Sequence, residues 1–257
     1  MSYIHIENAG KTFRSDGKDY NVFFGINLDI EKGELICLLG ASGCGKSTLL
    51  NAIAGFDLVT EGKIEIDGQE VKAPNSKNVM IFQNYGLLPW RNVISNVELG
   101  LESLRISKEE RRNIAEKYLK MVKLENFRDS FPRQLSGGMK QRVAIARALA
   151  VGPDIIFMDE PFGALDAITR MKLQDDILDI CQNEKKTIIF VTHDIDEATY
   201  LADRVVVMTP NPGKISAVID VPMRHFRDRT SGDFLHVRDK IFDVLSMKKE
   251  TNIEYTI

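Results

Sequence analysis

A chain of 257 residues, 44% hydrophobic and 28% charged, has the composition of an ordinary globular protein long enough to bury a full core. Its formal net charge of −3 gives no footprint for nucleic acid, which needs a clustered basic surface, so no nucleic-acid partner is expected. No apolar run approaches the ~18–20 residues that span a bilayer, and the opening Met1-Ser-Tyr-Ile-His-Ile-Glu has neither the basic nor the apolar stretch of a signal peptide.

The chain is therefore expected to stay in the cytosol and to reach any membrane process by docking on another protein. The three cysteines, Cys37, Cys44 and Cys181, show no metal-ligand spacing. An odd count in such a chain argues against a disulfide framework, and they read as small buried residues.

In chain order, residues 3–7, 23–30 and 63–67 read as strands, with Asp67-Gly68 as a turn signal. Short apolar runs follow at 35–39, 79–82, 155–158, 187–191 and 205–208. They lack polar alternation, which suits a parallel sheet buried on both faces, and helical patterns between them suit βαβ crossovers. Residues 84–150 break this rhythm with helical patterns and no good strand. There Ser107 and Glu110 have capping-box spacing, and Ile114, Tyr118, Met121 and Val122 fall on one helical face. From Pro210 the tail holds a Pro-Gly turn, a strand near 215–221 and a last helix near 234–245. The expected fold class is α/β: a P-loop NTPase core with a mostly parallel sheet, an N-terminal antiparallel β subdomain and an inserted helical subdomain. The expected layout is a single domain over 1–257. Core and β subdomain occupy about 1–83 and 151–220, the helical subdomain about 84–150, and a helical tail about 221–257.

The stretch Gly40, Ala41, Ser42, Gly43, Cys44, Gly45, Lys46, Ser47 and Thr48 fits G-x-x-x-x-G-K-[ST] between a buried strand and a helical pattern over 48–54. Glycines let backbone N–H groups converge on phosphate oxygens with no Cβ in the way. The helix N-terminus adds partial positive charge. Lys46 supplies a full charge for the β and γ phosphates, and the Ser47 hydroxyl can ligate Mg²⁺. This motif alone does not separate kinases, GTPases and motor ATPases.

The apolar run 155–158 ends in Asp159 and Glu160, which emerge at the C-terminal edge where ligands gather in open α/β sheets. Asp159 can hold the Mg²⁺ shell, and Glu160 can activate the attacking water. The structural alternative is that these carboxylates cap the next helix. The run 187–191 ends in Thr192-His193-Asp194, and His193 at that edge can hydrogen-bond the γ-phosphate and the water. Further back, Leu135-Ser136-Gly137-Gly138-Met139-Lys140-Gln141-Arg142 opens a helical run over 143–150. Ser-Gly-Gly at a helix start is either a plain N-cap or a second anion site built from a hydroxyl, backbone N–H groups and the dipole.

The order of motifs decides between these readings. The phosphate loop is followed by Gln83 closing the run at 79–82, then Leu-Ser-Gly-Gly-Met, Asp-Glu-Pro, Ala164-Leu165-Asp166 and His193. In that order the chain resembles the ATP-binding subunits of ABC transporters over nearly its whole length. The resemblance implies an ATPase that works as a head-to-tail homodimer with two ATP molecules between the copies. Ser136, Gly137 and Gly138 then bind the γ-phosphate of the facing copy. Gln83 contacts Mg²⁺ and the γ-phosphate and reports to a membrane permease. Asp166 crosses the dimer interface, Glu160 is the general base, and His193 sits at the γ-phosphate. The aromatic that stacks on adenine aligns with Phe13, with Tyr20 as a weaker candidate. The family's usual serine before Ala164 is Gly163 here.

Leu-Leu-Pro-Trp-Arg-Asn-Val after Gln83, the run Asp-Glu-Pro-Phe-Gly-Ala-Leu-Asp-Ala, and Arg227-Asp-Arg-Thr-Ser in the tail resemble the nitrate/sulfonate/taurine importer branch. That branch implies a two-copy permease, a solute-binding protein and a peripheral place on the cytoplasmic face of the cell membrane. The permease contact is expected in the region that opens with Gln83 and closes with Asn96. Leu87, Leu88, Pro89 and Trp90 either fill a partner groove or pack inside the helical insert. Two rivals stand beside this reading. An ABC ATPase without a transport role usually carries two cassettes or a long coiled coil, and this chain has one cassette and no sustained heptads. A small-molecule kinase would not need Leu-Ser-Gly-Gly-Met or His193.

Overall fold

The computed structural model of the protein describes residues 2–15, 17–82, 85–163 and 165–246, with the backbone alone at 180–183. Among them the chain runs β1 (Ile4–Ser15), β2 (Lys18–Ile30), β3 (Leu35–Gly40), α1 (Lys46–Ala54), β4 (Glu61–Ile66), β5 (Gln69–Glu70), β6 (Asn78–Ile81), α2 (Val93–Glu98), α3 (Lys108–Met121) and α4 (Gly137–Ala150). It continues through β7 (Ile155–Asp159), α5 (Ala167–Glu184), β8 (Thr187–Thr192), α6 (Ile195–Leu201), β9 (Arg204–Thr209), β10 (Lys214–Asp220) and α7 (Gly232–Ser246). These elements fall into two compact units, one of residues up to Pro74 and from Thr187 onward, the other Asn75–Lys186. Among the described residues no helix is long and apolar enough to cross a membrane.

In the first unit β2, β1, β4 and β5 form an antiparallel sheet in that order. The expected strand at 3–7 is the start of a longer one that reaches Ser15. Its apolar alternation breaks because the β1–β2 register shifts between Ile6 and Ala9 and again before Lys11 and Thr12, where Asn8 takes φ +46°. Ile4 and Ile6 point inward as alternation requires, but Ala9, Gly10 and Lys11 are then buried in succession. The buried Lys11 ammonium is satisfied by Asp57 Oδ1 at 2.5 Å and the Leu58 carbonyl at 2.6 Å. Asp67 and Gly68, with φ of +52° and +71°, close the two-residue hairpin between Ile66 and Gln69, as the turn signal predicts.

Beside that sheet, and still within the first unit, β3 pairs in parallel with β8 and β9, and β10 adds antiparallel to β9. Every residue of β3 and β8 is buried, which explains the unbroken Leu, Ile, Val and Cys runs. Cys37 is fully buried and burial pushes its thiol well up, so it behaves as a small apolar residue. Helices α1 and α6 pack on β3 and β8, and α7 packs on β9 and β10 through Phe234, Val237 and Ile241. Burying Phe190 on β8 contributes roughly 1.5–3 kcal/mol, and the parallel run repeats that gain at each position.

In the second unit β6 and β7 pair in parallel, Asn78 opposite Ile155 and Ile81 opposite Met158. Helices α2, α3 and α4 pack on one another. Ser107 caps α3, its hydroxyl accepting from the Glu110 N–H at 3.1 Å. The buried face of α3 is centred on Ala115, Tyr118 and Leu119 with Val122 beyond its end; Ile114 and Met121, expected inside, are half-buried at its margins. Helix α5 is the element least visible in the sequence. Leu173, Gln174, Ile177 and Leu178 make a narrow inward stripe among many charged residues.

Candidate active site

β3 runs straight into the glycine loop. A Cβ on Gly40 would stand 2.4 Å from the Met208 carbonyl oxygen and 2.8 Å from Cys44 Sγ, so only glycine lets the loop leave the strand here. Gly45 takes φ +91° as the N-cap of α1, and no side chain caps that helix. A helix N-terminus without a side-chain cap, with the dipole behind it, favours an anion. The Lys46 side chain is 5% exposed, and its ammonium donates to the carbonyls of Gly40 at 2.8 Å and Ala41 at 2.9 Å. Ala41, Ser42 and Gly43 face solvent, while Cys44 is buried behind them. A left-handed glycine, an uncapped helix start and an ammonium held within the loop fit a polyphosphate. Ser47, the second residue of α1, lies on the same turn.

Thr192 at the end of β8 stands opposite Leu39 of β3. The exposed His193 that follows therefore emerges at the same sheet edge as Gly40. Its two neighbours are tied to α6. Asp194 caps that helix, Oδ1 accepting from the N–H groups of Asp196 at 2.8 Å and Glu197 at 3.1 Å. The Thr192 hydroxyl donates to the buried Glu197 carboxylate and accepts from the Asp194 N–H. Phe13 and Tyr20, the two adenine candidates, are cross-strand partners on β1 and β2, and both are exposed. That rung lies two residues along β2 from Val22, whose Cγ1 would be 3.2 Å from a Cβ on Gly45. The Lys11 ammonium lies 4.9 Å from the Phe13 ring centroid.

In the second unit Ser136 caps α4, its hydroxyl accepting from the Met139 N–H at 3.3 Å, and it remains exposed. Gly137 opens the helix, and Gly138 lies buried against α5. Asp159 and Glu160 are half-buried at the end of β7, and Glu160 takes φ +45°. That left-handed conformation in a non-glycine residue costs of order 1–3 kcal/mol and is characteristic of functional positions. Asp166 precedes α5, and its carboxylate accepts from the Thr169 N–H at 3.0 Å. The hydrogen bonds from Thr169, side chain first and then backbone, hold the Asp166 carboxyl below its usual range. Gln83 and Ala164, and the side chain of Cys181, lie outside the described residues.

Residues 85–92 are held by side chains that pattern reading did not single out. The Arg147 guanidinium donates to the carbonyls of Gly86 at 2.6 Å and Tyr85 at 2.8 Å, and burial lowers its pKa. Asn96, fully buried, accepts from the Leu88 N–H at 2.7 Å and donates to the carbonyls of Leu88, Arg91 and Asn92. The available signal was a lone charge within the otherwise apolar run 143–150 and a lone amide on the apolar face of α2. With the loop so clamped, Leu87 and Leu88 are half-buried and Trp90 projects with 72% of its surface exposed.

Comparison with known proteins converges on one family. The family model described as ABC transporter matches residues 23–163. An uncharacterized ABC transporter ATP-binding protein of Methanocaldococcus jannaschii is 52% identical over 242 residues, 94% of this chain and 91% of that protein. A nitrate import ATP-binding protein of Synechococcus elongatus is 45% identical over 230 residues, 88% of this chain and 84% of that one. Among solved structures, a dimeric ATP-binding cassette bound to ADP and phosphate superposes with a TM-score of 0.75 at 34% identity, covering 86% of this chain and all of that one. With its glycine loop, its Ser-Gly-Gly helix start and its strand-end carboxylates in the family's order, the chain belongs to the ABC transporter family, among its ATP-binding subunits.

Proposed function

We propose that the protein hydrolyses ATP as a homodimer to drive import of a small anion, of the nitrate, sulfonate or taurine kind, through a separate membrane permease. The observation that carries this reading is that one chain presents two glycine-led helix starts of different design. The N-terminus of α1 has no side-chain cap and keeps a lysine in its loop, as a phosphate cradle requires. The N-terminus of α4 is capped by an exposed serine that can also reach outward to a facing copy. The nitrate-importing relative supports the solute class.

In this reading Gly40 to Thr48 hold the phosphates, and Phe13 stacks on the base. Ser136, Gly137 and Gly138 reach the γ-phosphate bound to the partner copy, and Asp166 lies in the interface. Ser47, Gln83 and Asp159 would hold Mg²⁺, which when bound neutralises charge on the phosphates. Glu160 accepts a proton from the attacking water, and His193 donates a hydrogen bond to the γ-phosphate. Each γ-phosphate contacts both copies, so its departure releases them and the permease feels the opening. The permease contact falls in residues 83–96 around Trp90, and the subunit sits on the cytoplasmic face with a solute-binding protein in the same system. The core and β subdomain of this reading occupy about 1–83 and 151–220, the helical subdomain 84–150 and the tail 221–257. Specific ATPase activity of the purified chain should rise with protein concentration as dimers form. Activity that stays constant on dilution would refute the shared site.

A further inference from the structure

We propose that Arg227 is a positioning residue for His193, acting through helix α6. The proposal rests on the reading of His193 as a contact to the γ-phosphate. Arg227 is 6% exposed and spends its guanidinium on backbone carbonyls. Nη1 donates to Thr199 at 2.8 Å, Tyr200 at 3.0 Å and Ala202 at 2.8 Å, all at the C-terminal end of α6. Nη2 and Nε donate to the Met223 carbonyl at 3.0 and 3.3 Å. The last carbonyls of a helix have no intrahelical partner and carry the negative end of its dipole. A planar fork of donors is the group suited to collect several of them, and a lysine cannot reproduce it. Burial lowers the Arg227 pKa to about 10, which leaves it charged at neutral pH.

Two neighbours extend this contact into a strap. The Arg229 guanidinium lies 3.7 Å from the centroid of the Tyr200 ring. His225 Nε2 sits 3.1 Å from Asp203 Oδ1, and the Asp203 carboxylate also accepts from the Leu35 N–H at the start of β3. Residues 225–229 therefore fasten the far end of α6 to the base of the strand that leads into the phosphate loop.

At seven residues, α6 spans only about 10 Å and is too short to hold a position by its own hydrogen bonds. Its two ends locate it. Arg227 fixes one, while the Asp194 cap and the Thr192–Glu197 bond fix the other, on either side of His193. A tilt allowed at the Arg227 end appears at His193.

A merely structural Arg227 would also lose stability on substitution, so the test is a cycle in turnover. The kcat and KM of the full-length chain are measured for Arg227→Met, His193→Ala and the double variant, with rates divided by the folded, ATP-bound fraction. Arg227→Met should lower kcat on the order of tenfold with KM little changed, because misplacement acts on the reacting geometry. In the His193→Ala background the same substitution should cost nothing further, and Arg227→Lys should fall between wild type and Arg227→Met. Should Arg227→Met not fold, Arg227→Lys takes its place in the cycle. Effects that multiply, or a kcat per folded subunit equal to wild type, would overturn the link while leaving His193 its role. Normal turnover in His193→Ala alone would remove that role, and the proposal with it.

Discussion

Gly138 and Thr169 meet where α4 crosses α5, and a Cβ placed on Gly138 would lie 2.3 Å from Thr169 Cγ2. No pair of carbons tolerates that distance, so one side must give. Gly138, the second glycine of the Ser-Gly-Gly helix start, is thus required by packing independently of any anion it binds. Gly138→Ala should destabilise the protein by about 1–2 kcal/mol, overpacking outweighing the helix propensity that alanine adds. Adding Thr169→Ser removes the opposing methyl and should restore the loss. Thermal unfolding checks both, and an unaltered melting temperature in Gly138→Ala would contradict the close approach.

Glu160 holds a left-handed backbone at the end of a buried strand, a conformation that survives only where the surroundings enforce it. Glu160→Gln keeps the shape and hydrogen-bonding reach of the side chain but cannot take a proton. Turnover should fall by about 10²–10⁴-fold. ATP affinity should be retained, and the variant should accumulate as an ATP-bound dimer in size-exclusion chromatography. Near-normal turnover would remove Glu160 from the chemistry.

Trp90 and Asn96 lie in one short segment and should respond in opposite ways. Trp90 is largely in solvent, so Trp90→Ala should change the stability of the isolated chain by no more than about 0.5 kcal/mol while weakening ATPase stimulation by the permease. Asn96 is buried and satisfies backbone groups of Leu88, Arg91 and Asn92, so Asn96→Ala should cost about 1–3 kcal/mol in the isolated chain. Chemical denaturation of the chain and ATPase assays in the assembled complex separate the two. A Trp90→Ala variant fully coupled to the permease would place the docking surface elsewhere.

Much of this was legible because its signals are local. The phosphate loop, the Ser136 helix start and the carboxylates after β7 are contiguous residues beside one strand or helix, and strands buried on both faces announce themselves as unbroken apolar runs. What stayed hidden depends on distant partners or on broken periodicity. β1 beyond residue 7 lost its alternation to the bulges near Asn8. Helix α5 shows too narrow an apolar stripe among its aspartates and lysines. Arg227 read only as part of a branch resemblance, since its carbonyl partners at 199–202 belong to a helix end that no spacing reveals. Asn96 and Arg147 looked like ordinary polar residues in helices until the loop they hold was seen.

His5 gives a pH dependence. Its Nδ1 lies 2.7 Å from Asp29 Oδ1, and its neighbours on β1 and β4 include Glu7 and Glu65. The Asp29 hydrogen bond, against a smaller desolvation penalty and with help from the nearby carboxylates, raises the His5 pKa above 6.5. The His5 hydrogen bond likewise lowers the Asp29 pKa below 3.8. A raised histidine contributes stability that is fully present below its unfolded pKa and lost as pH rises through the folded one. A lowered carboxyl contributes above its unfolded pKa and loses that as pH falls. The pair therefore stabilises between about pH 4 and pH 6.5 and fades above. The melting-temperature gap between wild type and His5→Gln should be larger near pH 6 than at about pH 8.5, and smaller in high salt. A gap independent of pH would contradict the assignment.

The shared nucleotide pocket is tested most directly by mixing two dead proteins. Lys46→Ala removes the cradle ammonium, and Ser136→Arg blocks the helix start of α4; each alone should turn over ATP at background. In a head-to-tail mixed dimer one pocket receives both lesions and the other receives none. Equimolar mixing should therefore restore ATPase activity, up to about a quarter of wild type if pairing is random and pockets act independently, in proportion to the mixed dimer formed. Background activity in a mixture shown to contain mixed dimers would contradict a pocket built from two copies.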